Sequence, residues 1–319
     1  MKALTFSIHG STDVLEYKEV SNPTLKEAEL LVEMKAIGLN FADTMRRKGD
    51  YAIRGGLPYI NGFEGAGIIK DNNNNPLFKI GDRVAFADVP FANAELVAVP
   101  FENAIPLPEE INFETAASIM LQGLTAHYLV NDSHKIIPGE NVLIHAVAGG
   151  VGQLLIQVCK IAGAKVIGLT SSETKRDTAL SLGADAVFLY SDDWKKKVIG
   201  ICPYGFDVVY DSVGSTMADS IAVTKTFGQV VFFGMADGKL ELGDPHLIIG
   251  NSITITGDDL WNYLSSRDQR LFRSRQFFDL IIERKIKVSP PTLFKLSDGK
   301  KAHDFMESRK STGKILLIP

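Results

Sequence analysis

The sequence predicts an α/β protein of two domains, one small and mostly β, the other a doubly wound parallel sheet. Three observations lead there. At 319 residues the chain exceeds what one hydrophobic core usually serves, so two domains are the starting expectation. Up to about residue 120, short extended runs with period-2 alternation are separated by Gly, Pro and Asn, as in antiparallel sheets. From about residue 139, short apolar runs alternate with helical segments, as in a parallel sheet covered on both faces.

In the first part, runs at 28–37, 65–70, 83–86 and 94–99 predict strands, and Asp71-Asn-Asn-Asn-Asn-Pro76 is a polar turn between two of them. The second part predicts strands at 141–145, 165–169, 186–190, 207–210, 229–233 and 252–256, and helices at 151–163, 173–182, 194–199 and 217–226. A helix at 270–285 and a strand at 314–318 close the sequence. No crossover precedes that last strand, so it is expected to pack back on the first domain and make it discontinuous. The expected division is 1–122 with 266–319 for the mostly β domain and 123–265 for the parallel sheet.

Composition removes several classes. Hydrophobic content of 45% and charged content of 23% are those of a globular protein. A net charge of −4 and a pI near 5.9 give no footprint for nucleic acid or anionic lipid. The runs Arg46-Arg47-Lys48 and Lys195-Lys196-Lys197 are expected to be solvated faces. The opening Met1-Lys-Ala-Leu-Thr-Phe-Ser-Ile-His turns polar too soon for a signal peptide. No stretch nears the roughly 20 apolar residues that span a bilayer. A cytoplasmic protein without membrane or nucleic-acid partners is expected. The two cysteines, Cys159 and Cys202, form no Cys-x-x-Cys, and Cys159 reads as a small buried hydrophobe.

The strongest local signal is His145-Ala-Val-Ala-Gly-Gly-Val-Gly152, a glycine turn that follows a predicted strand and opens a predicted helix. Glycines there allow a tight turn and close approach of a pyrophosphate, whose oxygens meet free N–H groups at the helix N-terminus. The bland alternative is a glycine turn for close packing alone. The second strand selects the dinucleotide. An NAD site carries an acid near that strand's end, to bond the ribose 2′-OH. Thr170, Ser171 and Ser172 stand there, with Lys175 and Arg176 just beyond. Hydroxyls and a cation suit a 2′-phosphate. Glu173 is the competing acid, read as an ordinary first-turn residue of the next helix. NADPH is therefore expected over NADH.

These motifs carry a resemblance to the medium-chain dehydrogenases/reductases, within them to the zinc-free quinone oxidoreductase (zeta-crystallin-like) family. The matching blocks run nearly end to end: Gly38-Leu-Asn-Phe-Ala-Asp43, Gly62-Phe-Glu-Gly-Ala-Gly67, Gly81-Asp-Arg-Val84, Leu121-Gln-Gly-Leu-Thr-Ala126, the glycine turn, Tyr210-Asp-Ser-Val-Gly214, and Ser308-Arg-x-x-x-Gly-Lys-x-Leu-Leu-Ile-Pro319. The resemblance implies a Rossmann domain, a GroES-like catalytic domain and an active cleft between them. By motif, the ligand positions of the zinc-dependent members hold Asn40, Phe63 and, less directly, Leu121, and the cysteine-rich loop for a structural zinc is missing. No metal is expected. Without a Lewis acid little polarises an alcohol, so alcohol dehydrogenation is not.

The resemblance also implies roles. Asn40 and Thr125 lie near the nicotinamide in relatives, Ser171, Lys175 and Tyr190 around the adenosine phosphate, and Tyr51 near the substrate. The implied cofactor set is Asn40, Thr125, Ala148, Gly149, Gly150, Val151, Ser171, Lys175, Tyr190, Ser212, Phe233 and Gly234; the implied catalytic set is Asn40, Tyr51 and Thr125. Each has a plain competitor: a helix cap for Asn40, helix packing for Thr125, a strand-end aromatic for Tyr190, a loop anchor for Tyr51, a solvated helix lysine for Lys175. His145 reads as structural rather than as a general acid, and His127 as a packed helix residue. Where relatives often carry a tyrosine, two residues after Asp43, this sequence has Met45, which weakens the substrate inference and leaves cofactor binding untouched.

The expected function is NADPH-dependent reduction of quinones or α,β-unsaturated carbonyls, small molecules poor in electrons. Alternatives are an enoyl-thioester reductase of the same superfamily and an NADPH-binding protein with a mainly non-catalytic role, RNA-binding or structural. Asn251-Ser-Ile-Thr-Ile-Thr-Gly257 reads as an unguarded edge strand, and with the family analogy predicts a homodimer.

Overall fold

A computed structural model describes residues 1–53, 55–238 and 240–319. It divides into two compact units, residues 1–121, 264–282 and 288–319, and residues 122–263 with 283–287.

The first unit opens with β1 (Lys2–Phe6), β2 (Leu15–Glu19) and β3 (Glu29–Leu39). Helix α1 (Phe41–Lys48) follows, then β4 (Tyr59–Ile60), β5 (Glu64–Asp71), β6 (Arg83–Ala87), β7 (Leu96–Pro100), β8 (Ile105–Pro106) and α2 (Phe113–Ile119). Asn40 caps α1, the Asp43 carboxylate accepts the Asn40 N–H at 2.9 Å, and Gly49 ends the helix with φ 91°. The left-handed cap needs glycine's freedom. Contrary to the expectation for a short basic run, Arg46 and Arg47 are buried. Arg46 pairs with Asp43 at 3.3 Å, and Arg47 donates to the Gly10 carbonyl at 2.5 Å and pairs with Glu307. The inward face of α1 took them; Arg46 finds its partner one turn back on the same helix, whereas those of Arg47 lie far away in sequence.

The second unit begins with α3 (Gln122–Tyr128). It continues through β9 (Asn141–Ile144), α4 (Gly150–Ile161), β10 (Lys165–Thr170), α5 (Glu173–Ser181), β11 (Ala186–Leu189) and α6 (Trp194–Ile201). Then come β12 (Phe206–Asp211), α7 (Met217–Val223), β13 (Thr224–Phe232), α8 (Pro245–Asn251), β14 (Thr254–Gly257) and α9 (Leu260–Tyr263). Six parallel strands lie in the order β11-β10-β9-β12-β13-β14. Val142, Leu143, Ile144, Val208 and Val209 are buried, since helices cover both faces. Two expectations change. The helix from 217 stops at Val223, because the β-branched Thr224 and Thr226 already belong to β13. The edge strand starts at Thr254 because Ser252 is left-handed (φ 51°) and terminates α8. That helix carried a readable signal, Pro245 at its first turn and Asp244 accepting from the His246 N–H at 2.9 Å.

The chain then returns to the first unit with α10 (Arg267–Ile282), β15 (Thr292–Lys295), α11 (Gly299–Glu307) and β16 (Ile315–Ile318). β16 pairs antiparallel with β3, Leu316 opposite Gly38, and parallel with β15. Its core gathers Leu4, Phe6, Leu30, Val32, Leu39, Phe86 and Leu317; that of the second unit gathers Leu143, Ile167, Leu169, Trp194, Phe206, Val209 and Val230. Among the described residues no helix is long and apolar enough to cross a membrane.

Candidate functional site

In the second unit the chain runs outward from β9 to β10 and β11, then crosses back to β12, β13 and β14. The strand order therefore reverses between β9 and β12, where ligands bind at the carboxyl ends of an open parallel sheet. Ala148, Gly149, Gly150 and Val151 follow β9; Ser171 and Lys175 follow β10; Tyr190, Ser212, and Phe233 with Gly234 follow β11, β12 and β13. Ten of the candidate residues thus share one end of one sheet. Thr125 is buried on α3, a helix packed on α4. Asn40 and Tyr51 belong to the other unit.

The turn after β9 begins with Ala146 in the left-handed region (φ 48°), and its carbonyl accepts the Gly149 N–H at 2.8 Å. A non-glycine residue there costs about 1–2 kcal/mol. Gly149 caps α4, whose first N–H groups, those of Gly150, Val151 and Gly152, have no intrahelical acceptor. A β-carbon on Gly152 would stand 2.5 Å from the Val147 carbonyl oxygen, and one on Gly150 would collide with the Gln122 carboxamide. The bare cradle and the helix N-terminus fit an anionic pyrophosphate.

Past β10, the three hydroxyls divide. Thr170 is buried, Ser172 caps α5 by accepting from the Lys175 N–H at 3.4 Å, and Ser171 is exposed. Glu173 is the first residue of α5 and pairs with Arg176. Lys175 is half-buried in the same first turn.

Tyr190 and His145 carry a buried polar series. The Tyr190 hydroxyl accepts the Ala146 N–H at 2.9 Å and lies 3.2 Å from His145 Nδ1. His145 Nε2 lies 3.0 Å from Ser220 Oγ, which donates to Asp211 Oδ2 at 2.7 Å. Asp211 also accepts from Thr216 Oγ1 (2.7 Å) and from the N–H groups of Val213 (2.8 Å) and Gly214 (3.1 Å). His145 is 1% exposed, and burial pushes its pKa down against the pull of Asp211 and Asp219. Burial alone would raise the Asp211 carboxyl, but His145 and the hydrogen bonds together hold it below its ordinary value. Sequence reasoning named Tyr190 and His145 but missed Ser220, which no motif marks.

In the first unit, Asn40 serves as the α1 cap while its side chain turns elsewhere. Asn40 Nδ2 donates to Glu64 Oε2 at 2.8 Å, and Lys314 Nζ donates to Asn40 Oδ1 (2.8 Å) and to Glu64 Oε2 (2.5 Å). Glu64 Oε1 accepts the Leu121 N–H at 2.6 Å. This buried ion pair was missed although both residues lie in quoted blocks, since 250 residues separate them. Burial pushes the Asp43 carboxyl up to about 6, in spite of Arg46. The Arg46 guanidinium lies 3.6 Å from the Phe63 ring centre and 4.8 Å from that of Tyr51, which is 37% exposed. Tyr51 thus anchors its loop on a cation. Among the described residues no group of three or more His, Cys, Asp or Glu could hold a metal ion. Both cysteines are free and buried, and burial raises both thiols.

A parallel six-stranded unit with a glycine turn and a mostly antiparallel β unit together define the medium-chain dehydrogenase/reductase class. Residues 26–141 match the alcohol dehydrogenase GroES-like domain and residues 150–270 the zinc-binding dehydrogenase domain. Over its whole length the chain is 35% identical to a quinone oxidoreductase of Pseudomonas aeruginosa, 99% of which is covered. It is 32% identical to a 2-haloacrylate reductase of Burkholderia, covering 97% of this chain and 96% of the relative. The crystal structure of Escherichia coli quinone oxidoreductase complexed with NADPH superposes with a TM-score of 0.95 at 35% identity, with both chains fully covered. The chain belongs to the quinone oxidoreductase family of the medium-chain dehydrogenases/reductases.

Proposed function

We propose that the protein is an NADPH-dependent reductase of quinones or α,β-unsaturated carbonyls. One observation carries this: at the strand reversal, a glycine cradle at the N-terminus of α4 faces a β10 end with no acid, an exposed Ser171 and Lys175 close by. The E. coli relative, complexed with NADPH, and the relatives named for quinone and haloacrylate reduction support it.

When bound, the dihydronicotinamide supplies a hydride. The N–H groups of Gly150 and Val151 hold the pyrophosphate, and Ser171 and Lys175 the 2′-phosphate. Ser212, Phe233 and Gly234 border the dinucleotide; an absent β-carbon at Gly234 matters because it would come within 3.0 Å of the Ser212 carbonyl. Thr125, buried on α3 beside α4, orients the nicotinamide end of the dinucleotide. In quinones and enones the developing charge delocalises onto oxygen, so orientation and a few hydrogen bonds suffice. The amide, phenyl and alkyl groups of Asn40, Phe63 and Leu121 do not make a zinc site. The protein is further proposed to be cytoplasmic and to take small molecules rather than nucleic acid or membrane as partners.

Loss of NADPH absorbance on adding a benzoquinone or an enal tests the proposal, with turnover expected for at least one. Turnover of an enoyl thioester alone would move the reading to that class. NADPH binding without turnover of any acceptor would leave the non-catalytic role.

A further inference from the structure

Four side chains that no motif groups together, Tyr190, His145, Ser220 and Asp211, join the start of the glycine turn to the end of β12. Their hydrogen bonds admit one direction only. Ala146 N–H can only donate, so the Tyr190 oxygen accepts there. At the other end Asp211 accepts from Ser220, Thr216, Val213 and Gly214, the part of a carboxylate. The single Ser220 proton has two acceptors, Asp211 at 2.7 Å and the Thr216 carbonyl at 3.2 Å, and neither can donate in return, so Ser220 Oγ must accept from His145 Nε2. With its proton on Nε2, His145 presents a bare Nδ1, which takes the Tyr190 O–H. Ser220 and Asp211 are fully buried, and the imidazole stacks on Tyr190 (5.9 Å between ring centres, 21° between planes) with its edge to Trp194 (6.0 Å, 90°). Among the described residues, the hydrogen-bond partners of the imidazole nitrogens are Tyr190 and Ser220.

The series ends on the one residue of the turn that needs holding. Ala146 is left-handed without being glycine, and its carbonyl closes the turn that sets Gly149 at the head of α4. We propose that His145 is a positioning residue of the dinucleotide site: through the Tyr190 hydroxyl on one side and Ser220–Asp211 on the other, it holds the Ala146 turn in the form that receives the pyrophosphate. This deepens the proposed function and rests on that reading. Tyr190 then acts from beneath the turn, by its hydroxyl on the main chain.

The test is a double-mutant cycle on NADPH affinity, read by fluorescence titration without turnover. Tyr190→Phe and His145→Leu should each raise Kd about tenfold, the loss of one net hydrogen bond. The double variant should be no more than about twofold worse than the weaker single one, because both cut the same series. Multiplied effects, or unchanged affinity in the single variants, would overturn the proposal. Should either variant misfold, Ser220→Ala removes one link, with about a threefold rise in Kd expected. Nitrogen-15 NMR of His145 provides a reading free of folding: a protonated Nε2 and bare Nδ1 are required, and the opposite tautomer refutes the series. A wild-type protein that binds neither NADPH nor NADH would sink the functional reading with the proposal; binding with no response to the variants sinks the proposal alone.

Discussion

A β-carbon on Gly152 would lie 2.5 Å from the Val147 carbonyl oxygen and 2.7 Å from that of Ala146. Helix α4 therefore leans on the main chain of its own entry turn, and the Ala146 carbonyl cannot move without giving up the Gly149 N–H that closes that turn. Gly152→Ala gains about 1 kcal/mol of helix propensity but overpacks a rigid contact, at about 1–3 kcal/mol. A lower Tm and at least tenfold weaker NADPH binding are expected. Gly200→Ala is the control: in α6 its β-carbon would meet nothing within 4 Å, so Tm should rise. Equal shifts in calorimetry would refute the packing argument.

Lys175 stands in the first turn of α5, beside the exposed Ser171. Removing a cation from a phosphate costs about 1.5–3 kcal/mol, so Lys175→Ala should weaken NADPH binding by about ten- to a hundredfold and NADH binding far less. Equal losses for the two dinucleotides, in parallel titrations, would refute the 2′-phosphate assignment.

His303 on α11 is fully buried, and neither ring nitrogen has a hydrogen-bond partner among the described residues. Burial, reinforced by Arg47, pushes its pKa down to about 3. The unfolded chain then binds a proton that the folded one refuses, so stability falls as pH drops from about 6.5 towards 3. The loss is on the order of a few kcal/mol. Asp43, raised to about 6, acts in the opposite sense over much of that range, which makes the difference between variants the useful measure. His303→Leu should show a flatter fall of Tm between pH 6.5 and 4 than wild type. Parallel curves would contradict this.

β14 closes one edge of the six-stranded sheet, and its residues are partly or fully exposed. No proline and no charge guards it, so pairing with a second copy is expected. Light scattering should give about twice the 34.8 kDa of one chain; a mass near one chain would end the homodimer proposal.

Much of the fold was legible because it is local. Apolar runs at 141–145 and 165–169 marked strands buried on both faces, which form as Asn141–Ile144 and Lys165–Thr170, and Gly149-Gly150-Val151-Gly152 marked a tight turn into a helix. Errors came where two local tendencies meet. Thr224 and Thr226 extend a helix on paper but start β13, and Asp244-Pro245 marked a helix that the apolar pattern hid. The basic run at 46–48 misled for another reason: charge predicts exposure only until a distant carboxylate such as Glu307 arrives.

The amino-acid sequence by itself determined the class of each domain, the glycine cradle and the acid-free end of β10, since periodicity, backbone freedom and residue type act over a few neighbours. Tertiary structure alone decided what the polar side chains do. Asn40 is held by Glu64 and Lys314, Arg46 lies between Phe63 and Tyr51, and Tyr190 supports Ala146 through a line that ends on Asp211. A buried donor or acceptor must find a partner. That partner is chosen by which strands lie side by side, not by distance along the chain.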